Sequence, residues 1–285
     1  MFSKIFLKFN YFLDSSKFSY IYKEKDLNNF FKNTLNQETI IGLDTEFLWR
    51  DTYYPQLSLI QVKTSKGIYI MDFIQLKEKN LFLNLFARED LVIVMNSARS
   101  DSTVISTNLE IDLKNVFDVQ IAEKLLGEVN QRSYSFLVKK YTSILLKKDQ
   151  TNSNWLKRPL TYNQLKYAAD DVEFLIYIYK EQTKKLKKIN QYERALEYSM
   201  DEVRKGFQSL SLSRIQKFKK DDSLSLDIFK WRERLAEKEN IPPSRIMKDK
   251  NIKKLSHYLK NRNISDGKWI FKDKKYQDLF LKEFL

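Results

Sequence analysis

The chain reads as an α/β protein, a mixed β-sheet flanked by helices, followed by a small all-helical C-terminal domain. Three observations carry this. As far as about Lys188, short runs with a strand's period of two alternate with runs of helical period. Beyond Ile189 only helical patterns recur. The chain has 285 residues, of which 42% are hydrophobic, enough for one sizeable core and a smaller second one. The expected layout is an N-terminal extension over 1–17, an α/β domain over 18–190, a helical connector and linker over 191–225 and a helical domain over 226–285.

In chain order, Phe18-Ser19-Tyr20-Ile21-Tyr22 alternates as a strand, and Asp26 is expected to cap a helix reaching about Leu35. Ile40-Ile41-Gly42-Leu43-Asp44-Thr45-Glu46-Phe47 is an apolar strand ending in two acids. Residues i and i+2 of a strand face the same way, so Asp44 and Glu46 present both carboxylates on one side. Asp51 to Pro55 reads as a turn, and Leu57–Val62 and Gly67–Met71 as two further strands that complete a meander. Leu81 to Phe86 has a helical pattern, and Leu91 to Met95 is a continuously apolar, buried strand. Ser100-Asp101 opens a helix to about Asn108, which sets Asp101 near a helix N-terminus just after a strand. Val116-Phe117-Asp118 is a short strand, followed by a helix from Val119 to Leu126. The helical pattern resumes at Tyr134. Trp155 to Leu160 is a loop delivering the chain into one long helix, Asn163 to about Lys188, on which Tyr167 and Asp171 share a face at i and i+4. Tyr192 to Phe207 is expected as a connecting helix and Ser209 to Ser225 as a linker. The final helical unit should bury Trp231, Leu235, Ile246 and Leu255, with a break at Pro242-Pro243.

The net charge of +14 has two readings: a surface that attracts nucleic acid by neutralising phosphates, or the Lys-rich composition of an AT-rich coding sequence. The runs Lys184 to Lys188 and Lys217 to Lys220 are candidates to track a nucleic-acid backbone, with solvated charge the better reading for each run taken alone. There is no cysteine and His257 is the only histidine, which removes disulfides, thiolate nucleophiles, Cys/His zinc sites and Ser-His-Asp triads. Catalysis is left to carboxylate, tyrosine, lysine and metal, and hard oxygen ligands suit Mg²⁺ or Mn²⁺. The apolar N-terminus is broken by Lys8 and Asn10 and shows no convincing cleavage site, and no run is long enough to span a membrane, so a soluble cytoplasmic protein is expected.

Asp44, Glu46, Asp101 and Asp171, with Tyr167 one turn before the last acid, come from three separate segments of the α/β domain. Four acids converge without prohibitive repulsion only where divalent cations neutralise them. At these residues the chain resembles the DEDD superfamily of 3′–5′ exonucleases, and within it ribonuclease D. The first motif stands as Asp44-Thr45-Glu46-Phe47, continued by Thr52-Tyr53-Tyr54-Pro55-Gln56-Leu57-Ser58-Leu59-Ile60-Gln61. The second is Asn96-Ser97-Ala98-Arg99-Ser100-Asp101 followed by Phe117-Asp118-Val119-Gln120-Ile121-Ala122. The third is Trp155-Leu156-Lys157-Arg158-Pro159-Leu160 running into Tyr167-Ala168-Ala169-Asp170-Asp171-Val172, whose tyrosine marks the tyrosine branch. Asn96 stands where the family often has histidine. Trp231-Arg232-Glu233-Arg234-Leu235-Ala236, Pro242 or Pro243, Ile246 and Asp249 make the C-terminal unit similar to an HRDC domain.

The resemblance implies a ribonuclease H-like fold and a metal-dependent 3′–5′ exoribonuclease that releases nucleoside 5′-monophosphates, acting as a monomer on tRNA precursors and other structured RNA. It implies two divalent cations, Mg²⁺ or Mn²⁺, one on Asp44, Glu46 and Asp171 and one on Asp44 and Asp101, with Tyr167 orienting the attacking water. Phe47 is a candidate to stack on the terminal base, with a place in the core as the other reading; Arg158 is a candidate phosphate contact or a surface ion pair. Asp118 is expected to hold backbone by hydrogen bonds, and Asp170 to be a solvated neighbour. Two alternatives stay open: a 3′–5′ DNA exonuclease, because such a cage reads phosphates and not the 2′-hydroxyl, and a catalytically silent nucleic-acid-binding module.

Overall fold

A six-stranded mixed sheet forms the frame of a computed structural model that describes residues 18–147, 149–218, 222–261 and 270–285. The expected extension over 1–17, and Lys219 and Lys220 of the second basic run, lie outside the described residues. The strands are β1 (Phe18–Ile21), β2 (Ile40–Leu48), β3 (Gln56–Lys63), β4 (Ile68–Asp72), β5 (Val92–Met95) and β6 (Val116–Asp118), in the order β1-β4-β3-β2-β5-β6. The antiparallel meander β2-β3-β4 is the expected one, and β5 extends the sheet parallel to β2. Asp44 stands opposite Gln61 and Glu46 opposite Leu59, but Phe47 pairs with Leu57, so Ser58 has no partner on β2 and the ladder bulges immediately after the second acid.

The central strand is apolar on both faces because both are covered. Ile41 and Leu43 of β2, with Ile60, Val62 and Ile93, pack on α1 (Glu24–Asn33), α2 (Asn80–Phe86) and α3 (Ala98–Leu109) through Leu27, Phe30, Phe82 and Val104. The other face carries Leu59, Ile70 and Val94, packed against α4 (Val119–Leu125), α5 (Tyr134–Thr142), α6 (Tyr162–Glu173) and α7 (Leu175–Lys188). Asp44, Glu46 and Gln61 belong to this second face, by alternation from Leu59 and by register.

The long helix expected over Asn163–Lys188 is two helices, α6 and α7, broken at Phe174. Phe174 is buried and its backbone N–H donates to the Tyr134 hydroxyl at 3.0 Å, which takes it out of the helical ladder. At the start of α6, Thr161 and Gln164 form a reciprocal capping box, the Gln164 amide N–H donating to Thr161 Oγ1 at 3.2 Å and the Thr161 N–H to Gln164 Oε1 at 3.0 Å.

The connector expected at Tyr192–Phe207 is instead part of the first unit, whose described residues run from Phe18 to Leu48 and from Gln56 to Phe207. As α8 (Tyr192–Phe207) it packs on α3 and β6: Asp118 N–H donates to Ser199 Oγ at 2.9 Å, and Thr103 Oγ1 donates to the Gly206 carbonyl at 2.9 Å. A side chain at Gly206 would stand 2.5 Å from the Arg99 carbonyl oxygen and 2.7 Å from Ser102 Cβ, so the two helices meet backbone to backbone.

The second unit comprises Trp49–Pro55 and Gln208–Leu285. The expected linker holds α9 (Leu210–Lys217), capped by Ser209, and the start of α10 (Ser223–Lys238), where Asp222 accepts from Ser225 N–H at 2.7 Å. With α11 (Pro243–Ile246), α12 (Asp249–Lys260) and α13 (Lys274–Phe284), these bury Ile228, Phe229, Trp231, Ile246, Ile252, Leu255 and Phe280; Leu235 is only partly buried. Tyr53, expected in a simple turn, is fully buried in this core. Its backbone N–H donates to Asn240 Oδ1 at 3.0 Å, its hydroxyl donates to Glu233 Oε2 at 3.3 Å, and the Arg214 guanidinium lies 4.6 Å from its ring centre.

Candidate active site

β2 brings Asp44 and Glu46 to one face of the sheet, and α6 crosses that face with Asp171. One oxygen from each of the three carboxylates lies within 4.8 Å of the other two. Burial pushes Asp44 well above the ordinary carboxylate range, and the charges of Asp101, Asp171 and Glu46 push it further. Glu46 is raised for the same reasons, burial first and then Asp171 and Asp101. Three hard oxygen donors whose shared charge is this costly fit a divalent cation, which would neutralise them.

Asp101 lies outside that trio but its charge reaches it. It sits in the first turn of α3, and Thr45 Oγ1, from the opposite face of β2, donates to Asp101 Oδ1 at 2.5 Å. Burial raises the Asp101 carboxyl to about 6, against the opposing effect of the Thr45 hydrogen bond. The start of α3 is set by Asp118, which accepts from Ser97 N–H at 3.1 Å, Ala98 N–H at 2.8 Å and Gln120 N–H at 2.8 Å. Asp118 thus clamps the turn that aims Asp101 and caps α4 with the same carboxylate.

Tyr167 stands one turn before Asp171 on α6. Its hydroxyl shares a 3.2 Å hydrogen bond with Thr151 Oγ1, and its ring lies 6.0 Å from that of Trp155. Burial, with the negative charges of Asp171, Glu46 and Asp44, raises its pKa far above that of free tyrosine, so it stays a neutral phenol.

Phe47 is half-buried and packs against the core on the far side of the sheet from the acids. Arg158 takes the ion-pair reading: Nε donates to Asp72 Oδ2 at 2.6 Å and Nη2 to Asp72 Oδ1 at 2.8 Å, while Nη1 binds the Trp155 carbonyl at 2.6 Å and Nη2 also reaches Ser58 Oγ at 3.0 Å. That guanidinium is spent on holding the loop before α6 to the bulge in β3. Asp170 pairs with Lys166 at 2.9 Å.

Two residues of this face were not singled out from the sequence. Tyr134 is buried close enough to feel the charges of Asp171, Glu173 and Asp44, which add to the effect of burial in raising its pKa. Gln61 is fully buried opposite Asp44, and among the described residues neither Oε1 nor Nε2 has a hydrogen-bond partner. Each such buried polar atom costs about 1–3 kcal/mol. No single-residue signal marks Gln61; only the strand register brings it to the acids.

This constellation coincides with a sequence match: the family model for 3′–5′ exonucleases covers residues 18–187. The chain belongs to the 3′–5′ exonuclease family. A model of the HRDC domain matches residues 223–265, as the sequence led one to expect. Among relatives of this chain, ribonuclease D of Desulfotalea psychrophila is 31% identical over 242 residues, covering 79% of this chain and 63% of the relative. Ribonuclease D of Xanthomonas oryzae is 38% identical over 150 residues, 53% of this chain and 41% of the relative. The chain therefore spans less than two thirds of the length of these relatives. Among solved structures, Escherichia coli RNase D, described as an exoribonuclease involved in structured RNA processing, superposes with a TM-score of 0.76 at 20% identity over 85% of this chain and 67% of its own. Brucella melitensis NrnC with bound Mg²⁺ superposes at 0.58 and 18% identity over 73% of this chain and 98% of its own. These structures share the ribonuclease H-like fold.

Proposed function

We propose that this exonuclease is a ribonuclease D-type, metal-dependent 3′–5′ exoribonuclease that hydrolyses the 3′-terminal phosphodiester of RNA, releasing nucleoside 5′-monophosphates. The observation that carries this reading is the convergence of Asp44, Glu46 and Asp171 oxygens within 4.8 Å on one partly exposed sheet face, inside the segment matched by the exonuclease model. Asp44, Glu46 and Asp171 would hold one divalent cation, and Asp44 with Asp101 a second; Mg²⁺ is favoured by the all-oxygen donor set and by its presence in the NrnC structure. Bound there, such ions supply a nucleophilic water at neutral pH and charge neutralisation at the leaving oxygen.

The protein's own residues do the positioning. Thr45 and Asp118 fix Asp101, and Tyr167, a neutral phenol beside Asp171, would donate a hydrogen bond that orients the attacking water rather than act as base. The basic surface, net +14, attracts the polyanionic substrate. We take the substrates to be tRNA precursors and other structured RNAs with free 3′ ends, bound by a monomer in the cytoplasm.

The test is a time course on a 5′-labelled tRNA precursor with an unpaired 3′ trailer, in Mg²⁺, in Mn²⁺ and with chelator. A ladder shortening from the 3′ end only with metal is expected, and Asp44→Asn should slow it by at least about 10²-fold, the scale on which a single charge-stabilising group acts. A matched DNA strand degraded equally well would move the reading to a DNA exonuclease. Intact RNA under every metal, with a retarded band in a binding gel, would leave a silent binding module.

A further inference from the structure

We propose that Trp155 is a positioning residue for Tyr167: its buried indole, pinned to the sheet through its own carbonyl, is the wall that holds the Tyr167 ring in place beside the carboxylates. The inference rests on the exoribonuclease reading above and adds to it the residue that keeps Tyr167 where that reading needs it.

The helix α6 does not by itself fix the phenol. A long side chain on a helix has two accessible χ1 wells, and they carry its far end to different places, so a neighbour must close one of them. The only hydrogen bond of the Tyr167 hydroxyl among the described residues goes to Thr151, in an exposed setting where water competes for both groups. The firmer contact is the ring of Trp155, 6.0 Å away at an interplanar angle of 40°, within the range of attractive aromatic pairs. Trp155 is 2% exposed and shares a core with Ala168, Ala169 and Val172 of α6, where close packing keeps its ring still.

What fixes Trp155 is the sheet. Its carbonyl accepts from Ser58 Oγ at 2.5 Å and from Arg158 Nη1 at 2.6 Å, and the Arg158 guanidinium is held in turn by Asp72 at the end of β4. Ser58 is the residue that the bulge leaves without a partner on β2, and the next residue, Leu59, is the partner of Glu46. The strand that registers Glu46 therefore also registers Trp155, and through the ring contact Tyr167 as well. An acid on β2 and a phenol on α6 thus take their relative position from β3. Packing alone does not call for tryptophan here, because its Nε1 is buried with no hydrogen-bond partner among the described residues, a destabilising group that phenylalanine would lack.

The experiment compares wild type, Trp155→Phe, Tyr167→Phe and the double variant, each per folded molecule. It measures the single-turnover rate of 3′-end shortening of the 5′-labelled RNA in Mg²⁺ at saturating enzyme, the enzyme concentration giving half that rate, and Mn²⁺ affinity by calorimetry without RNA. Trp155→Phe is expected to lower the rate about 10–10²-fold, the scale of an ångström's misplacement. Half-saturation and Mn²⁺ affinity should not change, and the rate should fall no further when Tyr167 is already phenylalanine. Ser58→Ala, which removes one of the two donors to the Trp155 carbonyl and leaves both rings, should lower the rate by less and should likewise have no effect in the Tyr167→Phe background; it decides the matter if Trp155→Phe does not fold. An equal loss in both backgrounds would mean that Trp155 supports the site without acting through Tyr167. An unchanged rate, with or without weaker half-saturation, would make it a packing or substrate-binding residue. Either result overturns the proposal, as does a Tyr167→Phe protein with the wild-type rate. Wild-type protein that shortens RNA with no metal tested would overturn the exoribonuclease reading itself, and this proposal with it.

Discussion

Asp72 has a fully buried side chain, and what keeps it charged is a set of donors: the Arg158 guanidinium, Gln75 Nε2 at 2.9 Å and the Tyr20 hydroxyl. Burial alone would raise its carboxyl, but the hydrogen bonds from Arg158, Tyr20 and Gln75 outweigh it and hold the pKa below the ordinary value of 3.8. A lowered folded pKa gives stability that is fully present above the unfolded value and is lost as pH falls through the folded one. Asp72→Asn should therefore cost on the order of 3 kcal/mol near pH 7, because it strands a partly buried guanidinium. The gap between the two denaturant midpoints should close below about pH 4. A gap that persists undiminished at pH 3 would mean that charge is not what Asp72 contributes. The same pairing explains why Arg158 could not be assigned from sequence. Its partner lies 86 positions away, and local pattern says nothing about contacts at that separation.

At the scale of the element, α3 carries Asp101 and is held by three devices: Asp118 at its start, Thr45 on the acid itself and the close approach of α8 at Gly206. Gly206→Ala puts a methyl against backbone atoms that cannot move aside, so it should destabilise by about 1–3 kcal/mol. Because the displaced segment, Arg99 to Thr103, brackets Asp101, exonuclease turnover should fall by more than the loss of folded protein explains. Circular dichroism melting set beside turnover per folded molecule separates the two, and equal losses would dissociate α8 from the site. The elements were legible wherever one face or both had to be apolar: β2 with its acids, the meander, the buried β5 and the helix bearing Tyr167 all stand in the runs that foretold them. What escaped depended on contacts between distant segments. The break at Phe174 is made by the Tyr134 hydroxyl, and α9 hides in a Ser/Lys-rich stretch whose Ser209 cap resembles loop composition. Gln61 comes to stand opposite Asp44 only through strand register.

For the whole molecule, the division of the chain departs from a simple succession of domains, because the second unit draws Trp49–Pro55 from between β2 and β3. The helical region over Gln208–Leu285 is consequently incomplete without residues far upstream, and Tyr53 is the reason: it is fully buried in that unit's core, and its hydroxyl is one of the donors to buried Glu233, beside Arg214 at 2.9 Å and Arg232 at 2.9 Å. Removing the ring leaves a large cavity and takes a hydrogen bond from an acid that has almost no access to water. Tyr53→Ala should cost the second unit about 3–5 kcal/mol, the usual loss for a buried aromatic. Tyr53→Phe, which keeps the ring and loses only the long 3.3 Å hydrogen bond, should cost about 1 kcal/mol. Hydrogen exchange resolved by segment is the measurement that decides, since it reads the two units separately. The expected outcome is faster exchange in α10 and α12 of the alanine protein with β2 to β5 unchanged. A separately produced Gln208–Leu285 fragment should show the same fast exchange throughout, because it lacks Tyr53 altogether. A fragment that protects its helices as well as the intact chain would show that the upstream segment is a passenger in that core.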